Sequence, residues 1–173
     1  KYRPKNIEHC ILPDDLKNTF KSFVDAGEVP NLLLCGTAGI GKTTVAKALC
    51  HELGVDSIVI NGSDEGRFLD TVRNTAKQFA STVSLTSSAK HKVIIIDEAD
   101  NTTHDVQLLL RASIEEFQNN CRFIFTCNFK NKIIQPLHSR TTVIDCNTRG
   151  KQKQQIATQF FERCRGILTA CLL

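Results

Sequence analysis

Residues 36–43 carry the residue types of a phosphate-binding loop. They read Gly-Thr-Ala-Gly-Ile-Gly-Lys-Thr and match the pattern G-x-x-x-x-G-K-[ST] in full. We expect the Lys42 ammonium to reach the β- and γ-phosphates of a nucleotide and the Thr43 hydroxyl to ligate Mg²⁺. The competing interpretation is a glycine-rich turn without a ligand. It would require the motif to occur by chance, and the probability of this is well below ~1% at average glycine and lysine usage. The residues expected to hold the nucleotide here are Gly39, Ile40, Gly41, Lys42, Thr43 and Thr44.

Two adjacent carboxylates, Asp97 and Glu98, directly follow the apolar run 94–96. Ligands of open α/β sheets bind at the carboxyl ends of strands, so this pair suits the same site as the phosphate loop. We expect Asp97 to hold Mg²⁺, usually through water, and Glu98 to polarise an attacking water as the general base. Without the loop, a solvated acidic strand end would explain the pair as well. Asp100 either belongs to this site or is an acid at a helix N-terminus.

Apolar runs alternate with helix-length stretches along the chain. The predicted strands are 31–35, 57–60, 93–96, 122–126 and 142–146, and the predicted helices are 43–53, 64–80, 103–117 and 151–165. Strands that are apolar on both faces and separated by helices are typical of a parallel sheet covered on both sides. The pattern therefore predicts an α/β fold with a five-stranded parallel sheet between helices.

The composition is that of an ordinary soluble domain. The chain has 173 residues, 41% of them hydrophobic and 23% charged, with a net charge of +4 that does not by itself indicate a nucleic-acid partner. No apolar run approaches the roughly 18 residues of a membrane span, so we expect no membrane partner. The eight cysteines form no C-x-x-C pair, which favours free thiols in a reducing cytosol over disulfides or a zinc site. Lys1 is not an initiator methionine, so we expect a natural start further upstream.

The motifs together resemble those of AAA+ ATPases, and among these the subunits of replication clamp loaders. The segments that carry the resemblance are the phosphate loop, Asp-Glu-Ala-Asp at 97–100, Lys-Tyr-Arg-Pro at 1–4, Asn-Gly-Ser-Asp-Glu at 61–65 and Ser-Arg-Thr at 139–141. The chain resembles the replication factor C small-subunit type and, through Ile-Leu-Pro at 11–13 and residues 41–51, the clamp-loader large subunits of T-even-type bacteriophages. The resemblance extends nearly to Cys146.

The resemblance implies an ATP hydrolase that uses ATP and Mg²⁺ in the cytoplasm, or in the host cytoplasm if the protein is from a phage. The implied partners are a sliding clamp, primer–template DNA and further loader subunits in a hetero-pentamer. ATP binding and hydrolysis would drive clamp opening and loading onto the DNA. The implied domains are an AAA+ core over residues 1–147 and the start of a truncated helical lid over residues 148–173.

The resemblance also assigns roles to residues outside the phosphate loop. Lys1, Tyr2 and Ile11 would border the adenine pocket, with a flexible terminus as the competing explanation. Asn128 would be the sensor that orients water near the γ-phosphate, and otherwise an Asx-turn former. Arg140 would be an arginine finger acting in trans on a neighbouring subunit's nucleotide, and otherwise a surface arginine. Thr141 stands where the family usually has cysteine.

Basic residues of the second predicted helix are the implied DNA contacts. These are Arg67, Arg73 and Lys77, of which Arg73 and Lys77 are spaced i,i+4 and share a helix face. Contacts of this kind hold phosphates without reading sequence. Arg67 also resembles a basic residue that restrains the catalytic glutamate until DNA binds. A solvated basic face is the competing explanation.

Two other functions stay open at this point. One is another AAA+ DNA motor, such as a branch-migration helicase. The other is a structural loader subunit that does not hydrolyse ATP. Such subunits usually lose the loop lysine, the Asp-Glu pair or both, whereas Lys42, Asp97 and Glu98 are all present.

Overall fold

The computed structural model describes residues 3–63, 71–82, 91–148, 150 and 152–171. The described strands form one five-stranded parallel sheet in the order β2-β3-β4-β1-β5. The strands are β1 Leu32–Cys35, β2 Ser57–Asn61, β3 Lys92–Asp97, β4 Cys121–Cys127 and β5 Thr142–Asp145. Each coincides with a predicted strand to within a residue or so at its ends, so the predicted fold class is confirmed.

Helices connect the strands and cover both faces of the sheet. They are α1 Asp14–Ala26, α2 Lys42–Glu52, α3 Lys77–Ser81, α4 His104–Glu116, α5 Gln135–His138 and α6 Gln152–Cys171. A π-helical turn, Thr71–Ala76, leads into α3. Of the predicted helix 64–80, residues 64–70 lie outside the described part of the chain. No helix in the described ranges is long and apolar enough to cross a bilayer.

Strand β3 shows why the sheet is apolar on both faces. Its alternate side chains Ile94 and Ile96 pack into the core under α3 and α4, together with Leu110 of α4. Val93 and Ile95 point the other way, into the core under α1 and α2. Both cores are fully closed at the centre, so β3 provides a rigid support for its last residue, Asp97, and for Glu98 directly after it.

Helix α1 has no counterpart among the predicted elements. Its apolar residues Leu16, Phe20, Phe23 and Val24 share one face at helical spacing and pack into the core, and Phe20 is fully buried. The helix begins with Asp14 and Asp15, which favour the positive end of the helix dipole, and ends at Gly27 with a φ of 71°. Both the spacing and the end signals therefore indicate the helix.

Helix α6 packs against the N-terminal segment. The Gln159 side chain accepts a hydrogen bond from the Leu12 backbone amide at 3.2 Å. Gln155 and Gln152 contact Asp14 and Asp15 at the start of α1. The helix extends to Cys171, six residues beyond the predicted end. The predicted division of the chain at residue 147 stays a prediction.

Candidate active site

The phosphate loop joins the end of β1 to the start of α2, as its motif predicts. Gly41 is the N-cap of α2 and has a φ of 88°, in the left-handed region that favours glycine. The Gly36 amide, at the other end of the loop, donates to the Cys127 carbonyl of β4 at 3.1 Å. The loop is therefore anchored to β1, β4 and α2, with the N-terminus of α2 facing its concave side.

Lys42 lies inside the loop and is 8% exposed. Its ammonium donates to the carbonyls of Gly36 at 2.7 Å and Thr37 at 2.8 Å. It also donates to Asn128 Oδ1 at 2.9 Å, which ties the loop to the segment after β4. Two sequence-predicted site residues from distant parts of the chain, Lys42 and Asn128, are thus in direct contact.

Asp97 receives two hydroxyl hydrogen bonds on one oxygen. Thr43 Oγ1 and Thr126 Oγ1 both donate to Asp97 Oδ1 at 2.6 Å. Hydroxyl and carboxylate oxygens are the ligands that Mg²⁺ prefers, so the predicted pair Thr43 and Asp97 fits this ion. Thr126 was not among the predicted site residues. Its signal in the sequence is a hydroxyl residue that directly follows the apolar run 123–125 at the end of a strand.

Glu98 has the one positive φ of a non-glycine residue in the described ranges, at 55°. Its Oε2 atom accepts hydrogen bonds from Ser63 Oγ and, at 3.3 Å, from Asn101 Nδ2. Asn101 also donates to Ser63 at 3.1 Å, which closes the cluster. Sequence reasoning did not assign Ser63 or Asn101 to Glu98. It assigned Arg67 to that task, and Arg67 lies outside the described residues.

Gly62 lets the end of β2 approach Glu98 closely. Its amide donates to the Asp97 carbonyl at 2.7 Å. A Cβ atom on Gly62 would lie 2.6 Å from the Glu98 carbonyl oxygen and 3.1 Å from that of Asp97. A side chain at this position would therefore push directly on the backbone that carries both carboxylates.

Asp100 holds the turn that follows β4. Its Oδ2 atom accepts from the amides of Asn128 at 3.2 Å and Phe129 at 3.1 Å. Its Oδ1 atom is buried and has no hydrogen-bond partner among the described residues. Asp100 also lies in the first turn of the short helix Ala99–Asn101, whose N-cap is Glu98. The prediction of an acid at a helix N-terminus is therefore confirmed, and Asp100 in addition fixes the backbone that presents Asn128.

Two adjoining cavities meet at the loop. A cavity of about 410 Å³ is lined by polar groups, including Lys42, Thr43, Asp97, Glu98 and Asn128. A cavity of about 370 Å³ is largely apolar, and its lining includes Ile11, Ile40 and Val45, with Ile156 and Phe160 of α6. Gly39, Gly41 and Thr44 line both. The predicted residues Ile11 and Ile40 thus border an apolar chamber, whereas Lys1 and Tyr2 lie outside the described residues.

Arg140 lies at the opposite edge of the sheet from the loop. It lines a separate cavity with Asn31, Arg122 and Thr142, at the amino ends of β1, β4 and β5. Its guanidinium binds Glu115 Oε1 of α4, through Nε at 2.7 Å and through Nη2 at 2.5 Å. The hydrogen bond from Arg140 lowers the pKa of the Glu115 carboxyl. Arg140 therefore does not contribute to the site of its own chain.

The predicted DNA contacts are described only in part. Lys77 is the first residue of α3 and its side chain is exposed. Arg67 and the side chain of Arg73 lie outside the described residues. The shared face of Arg73 and Lys77 stays a prediction from their spacing.

The fold and the site define a class of protein: a P-loop nucleotide-binding domain with the Asp-Glu pair of nucleoside triphosphatases at the end of a neighbouring strand. The chain belongs to the AAA family of ATPases, described as the ATPase family associated with various cellular activities, which matches residues 32–147.

Relatives in this family are clamp-loader proteins. The chain is 43% identical over 149 residues to the replication factor C small subunit of Picrophilus torridus, covering 83% of the chain and 46% of that protein. It is 45% identical over 147 residues to the sliding-clamp-loader large subunit of Escherichia phage RB69, covering 84% of the chain and 45% of that protein. The chain thus spans about half the length of the curated relatives it matches.

A solved structure supports the fold. The RuvB Holliday junction branch migration motor of Thermotoga maritima matches with a TM-score of 0.69 and 24% identity, covering 91% of this chain and 53% of that one. At this identity the likeness concerns the fold alone.

Proposed function

We propose that this chain is the ATP-hydrolysing part of a DNA sliding-clamp loader subunit that acts in the cytoplasm, or in the host cytoplasm if the protein is from a phage. One observation carries the proposal of ATP hydrolysis: Lys42, Thr43, Asp97, Glu98 and Asn128 converge on one polar cavity. The clamp-loading role is supported by the names of relatives that share 43% and 45% of their aligned residues with the chain.

In the proposed reaction, Lys42 exchanges its carbonyl partners for phosphate oxygens. It already lies between Gly36, Thr37 and Asn128, so its ammonium needs only a small displacement to face the β- and γ-phosphates. Thr43 and Asp97 would hold Mg²⁺, which offsets the negative charge that develops on the phosphates. Asn128 orients the attacking water, because its amide can donate to phosphate and accept from water.

Glu98 takes a proton from that water and is the general base of the proposal. Its carboxylate is engaged by Ser63 and Asn101, so it must leave these partners before it can accept the proton. We propose that this restraint keeps ATP hydrolysis slow until Glu98 is released from Ser63 and Asn101. We infer that DNA binding near the end of β2 provides the release, with Arg67 as the residue that reports it.

The apolar cavity suits the adenine base. Ile11, Ile40 and Val45 line one side, and Ile156 and Phe160 of α6 line another. We propose that Lys1 and Tyr2 complete this pocket. We also propose that residues 1–147 are the ATPase core and that α6 begins a lid domain, since α6 lines the apolar cavity with Ile156 and Phe160.

Arg140 acts in trans in this proposal. Its position at the amino edge of the sheet removes it from its own nucleotide and leaves it available to a neighbouring subunit. Guanidinium binds phosphate bidentately and is always charged, which suits a finger on the γ-phosphate. The site is therefore complete only in an assembly, and we propose the hetero-pentamer of the clamp loaders.

Primer–template DNA is the proposed activator. Arg73 and Lys77 lie on the helical segment after β2, spaced so that both can contact one phosphate backbone. Arg67 is proposed as a third contact. Charged contacts of this kind are independent of sequence, as a loader that acts at any primer end requires.

Retention of the protein by a sliding clamp tests the proposed function. The full-length protein, assembled with its partner subunits, is passed over immobilised clamp with ATP, with ADP or without nucleotide. We expect retention with ATP only. Lys42→Ala removes the phosphate contact and should abolish retention, whereas Lys21→Ala, an exposed lysine paired with Glu8, should not. Retention that is equal with and without ATP would overturn the proposal.

A further inference from the structure

Two cysteine thiols meet at the base of the phosphate loop. Cys35 and Cys127 are the last residues of β1 and β4 and are register partners in the parallel sheet. The Cys127 thiol donates a hydrogen bond to Cys35 Sγ, with the sulfur atoms 3.4 Å apart. Both residues are buried. This contact has no part in the proposed hydrolysis.

The backbone geometry at this pair is compatible with a disulfide. Neighbouring strands lie about 4.8 Å apart, and register partners project side chains to the same face. Disulfides accept Cα separations of roughly 4.4–6.8 Å, so the strands need not separate or slide to be bridged. The two sulfur atoms would have to approach by about 1.4 Å from their 3.4 Å separation to reach bonding distance.

Cys35 also differs chemically from the other buried cysteines, whereas the hydrogen bond to Cys35 raises the pKa of Cys127. Burial raises the pKa of Cys50 and of Cys146 to about 12, which keeps those thiols protonated. In contrast, the hydrogen bond from Cys127 lowers the pKa of Cys35. Cys127 also lines the polar cavity of the phosphate loop, so a small oxidant has a route to the pair.

We propose that Cys35 and Cys127 form a reversible oxidation site, at which a peroxide converts the thiol pair into a disulfide. The Cys35 thiolate attacks hydrogen peroxide, the O–O bond breaks, and Cys35 becomes a sulfenic acid as hydroxide leaves. Cys127 then attacks the Cys35 sulfur, the S–S bond forms, and the sulfenic oxygen leaves as water. In total two thiols lose two electrons and two protons, and one peroxide becomes two waters.

The disulfide would act on the nucleotide site through the backbone. Cys35 is followed by Gly36 and Cys127 by Asn128, and the Gly36 amide is bonded to the Cys127 carbonyl at 3.1 Å. Drawing the two sulfur atoms together shifts the start of the loop and the sensor segment, so we expect weaker nucleotide binding. This consequence rests on the proposed function, whereas disulfide formation does not.

Mass spectrometry of the full-length protein tests the proposal. The reduced protein is titrated with hydrogen peroxide, denatured, and treated with N-ethylmaleimide to label the remaining thiols. We expect the loss of two labels and a disulfide-linked peptide pair that contains Cys35 and Cys127. Dithiothreitol should restore both labels and, in a parallel nucleotide-binding measurement, restore any affinity lost.

Matched variants separate this pair from the other thiols. Cys35→Ala and Cys127→Ala should each abolish the linked peptides, whereas Cys50→Ala and Cys121→Ala should keep them. If a variant does not fold, the peptide map of the oxidised wild-type protein still shows whether Cys35 and Cys127 are linked. Labels retained on both cysteines, a bond to a different cysteine, or oxidation that dithiothreitol does not reverse would each overturn the proposal. A disulfide that forms without changing nucleotide affinity would remove its proposed effect on the site.

Discussion

Glu98 illustrates how single residues set the site. Its backbone is left-handed, and its carboxylate is engaged by Ser63 and Asn101 beside the phosphate loop. Gly62 allows this arrangement by presenting no side chain to the Glu98 carbonyl. Asp100 performs a similar task for Asn128 by holding two backbone amides of its turn. At this scale, the geometry around Glu98 and Asn128 depends on contacts between motifs that are far apart in the sequence.

Gly62→Ala tests the close approach of β2 to Glu98. Its Cβ would lie 2.6 Å from a backbone oxygen, which forces the Asp97–Glu98 segment to shift. We expect a loss of about 1–3 kcal/mol in the free energy of unfolding and a lower kcat. Chemical denaturation and steady-state ATPase assays measure both. Gly166→Ala, in α6 with no described atom within 4 Å of the added Cβ, is the control and should change neither. If Gly62→Ala and Gly166→Ala had the same stability and the same kcat, the close approach of Gly62 to Glu98 would have no consequence for the site.

Asp100→Ala tests the support of Asn128. The change leaves the amides of Asn128 and Phe129 without their acceptor, which loosens the turn that presents Asn128. We expect kcat to fall more than the affinity for ATP, because the phosphate loop itself is untouched. Asp100→Asn keeps one acceptor oxygen and should fall between the wild type and Asp100→Ala. If kcat is unchanged in the alanine variant, Asp100 does not position the sensor.

At the scale of elements, the sequence predicted the sheet well because its strands are apolar on both faces. The runs at 93–96 and 122–126 leave few alternatives to buried parallel strands, and the phosphate loop fixes the β1–α2 junction. Helix α1 was not predicted, although Leu16, Phe20, Phe23 and Val24 have helical spacing and pack into the core. The contacts of Ser63, Asn101 and Thr126 were not predicted because they depend on which strands become neighbours in the sheet. Local spacing does not encode that order.

His91, immediately before β3, makes folding sensitive to pH. It is buried, its Nε2 atom accepts from the Val29 amide at 3.5 Å, and burial lowers the pKa of His91 below its usual 6.5. Arg122 lowers the pKa further and Glu28 opposes this. Below about pH 6.5 the unfolded chain therefore binds a proton that the folded chain excludes. The free energy of unfolding should fall there by at most about 1.4 kcal/mol per pH unit.

His91→Gln removes this titration while leaving an acceptor for the Val29 amide. Denaturation curves from pH 5 to pH 8 should show a smaller loss of stability in acid for the variant than for the wild type. His51→Gln, at an exposed position, is the control and should keep the wild-type slope. If His91→Gln leaves the pH dependence of the free energy of unfolding unchanged, His91 is not the group responsible for it.

At the scale of the whole molecule, the two edges of the sheet have different tasks. The carboxyl edge holds the nucleotide site, and the amino edge presents Arg140, which Glu115 orients. If Arg140 acts in trans as proposed, each chain is both an acceptor and a donor of catalytic groups. The proposed assembly then needs subunits arranged head to tail, which is the heterologous contact that forms rings or spirals.

Arg140→Ala separates nucleotide binding from turnover. The variant should bind ATP in its own cavity as the wild type does, because Arg140 lies at the other edge of the sheet. In the assembled complex, turnover at the neighbouring site should fall on the order of 10³-fold. Arg111→Ala, which removes a weaker partner of Glu115 at 3.5 Å, is the matched control and should retain most activity. Full turnover by Arg140→Ala would remove Arg140 from the mechanism.

ATP hydrolysis by the full-length assembled protein, with and without sliding clamp and primer–template DNA, tests the central claim most directly. We predict that clamp and DNA together stimulate turnover, and that Glu98→Gln abolishes this turnover while ATP binding persists. Normal turnover in Glu98→Gln, or a rate indifferent to clamp and DNA, would contradict the account.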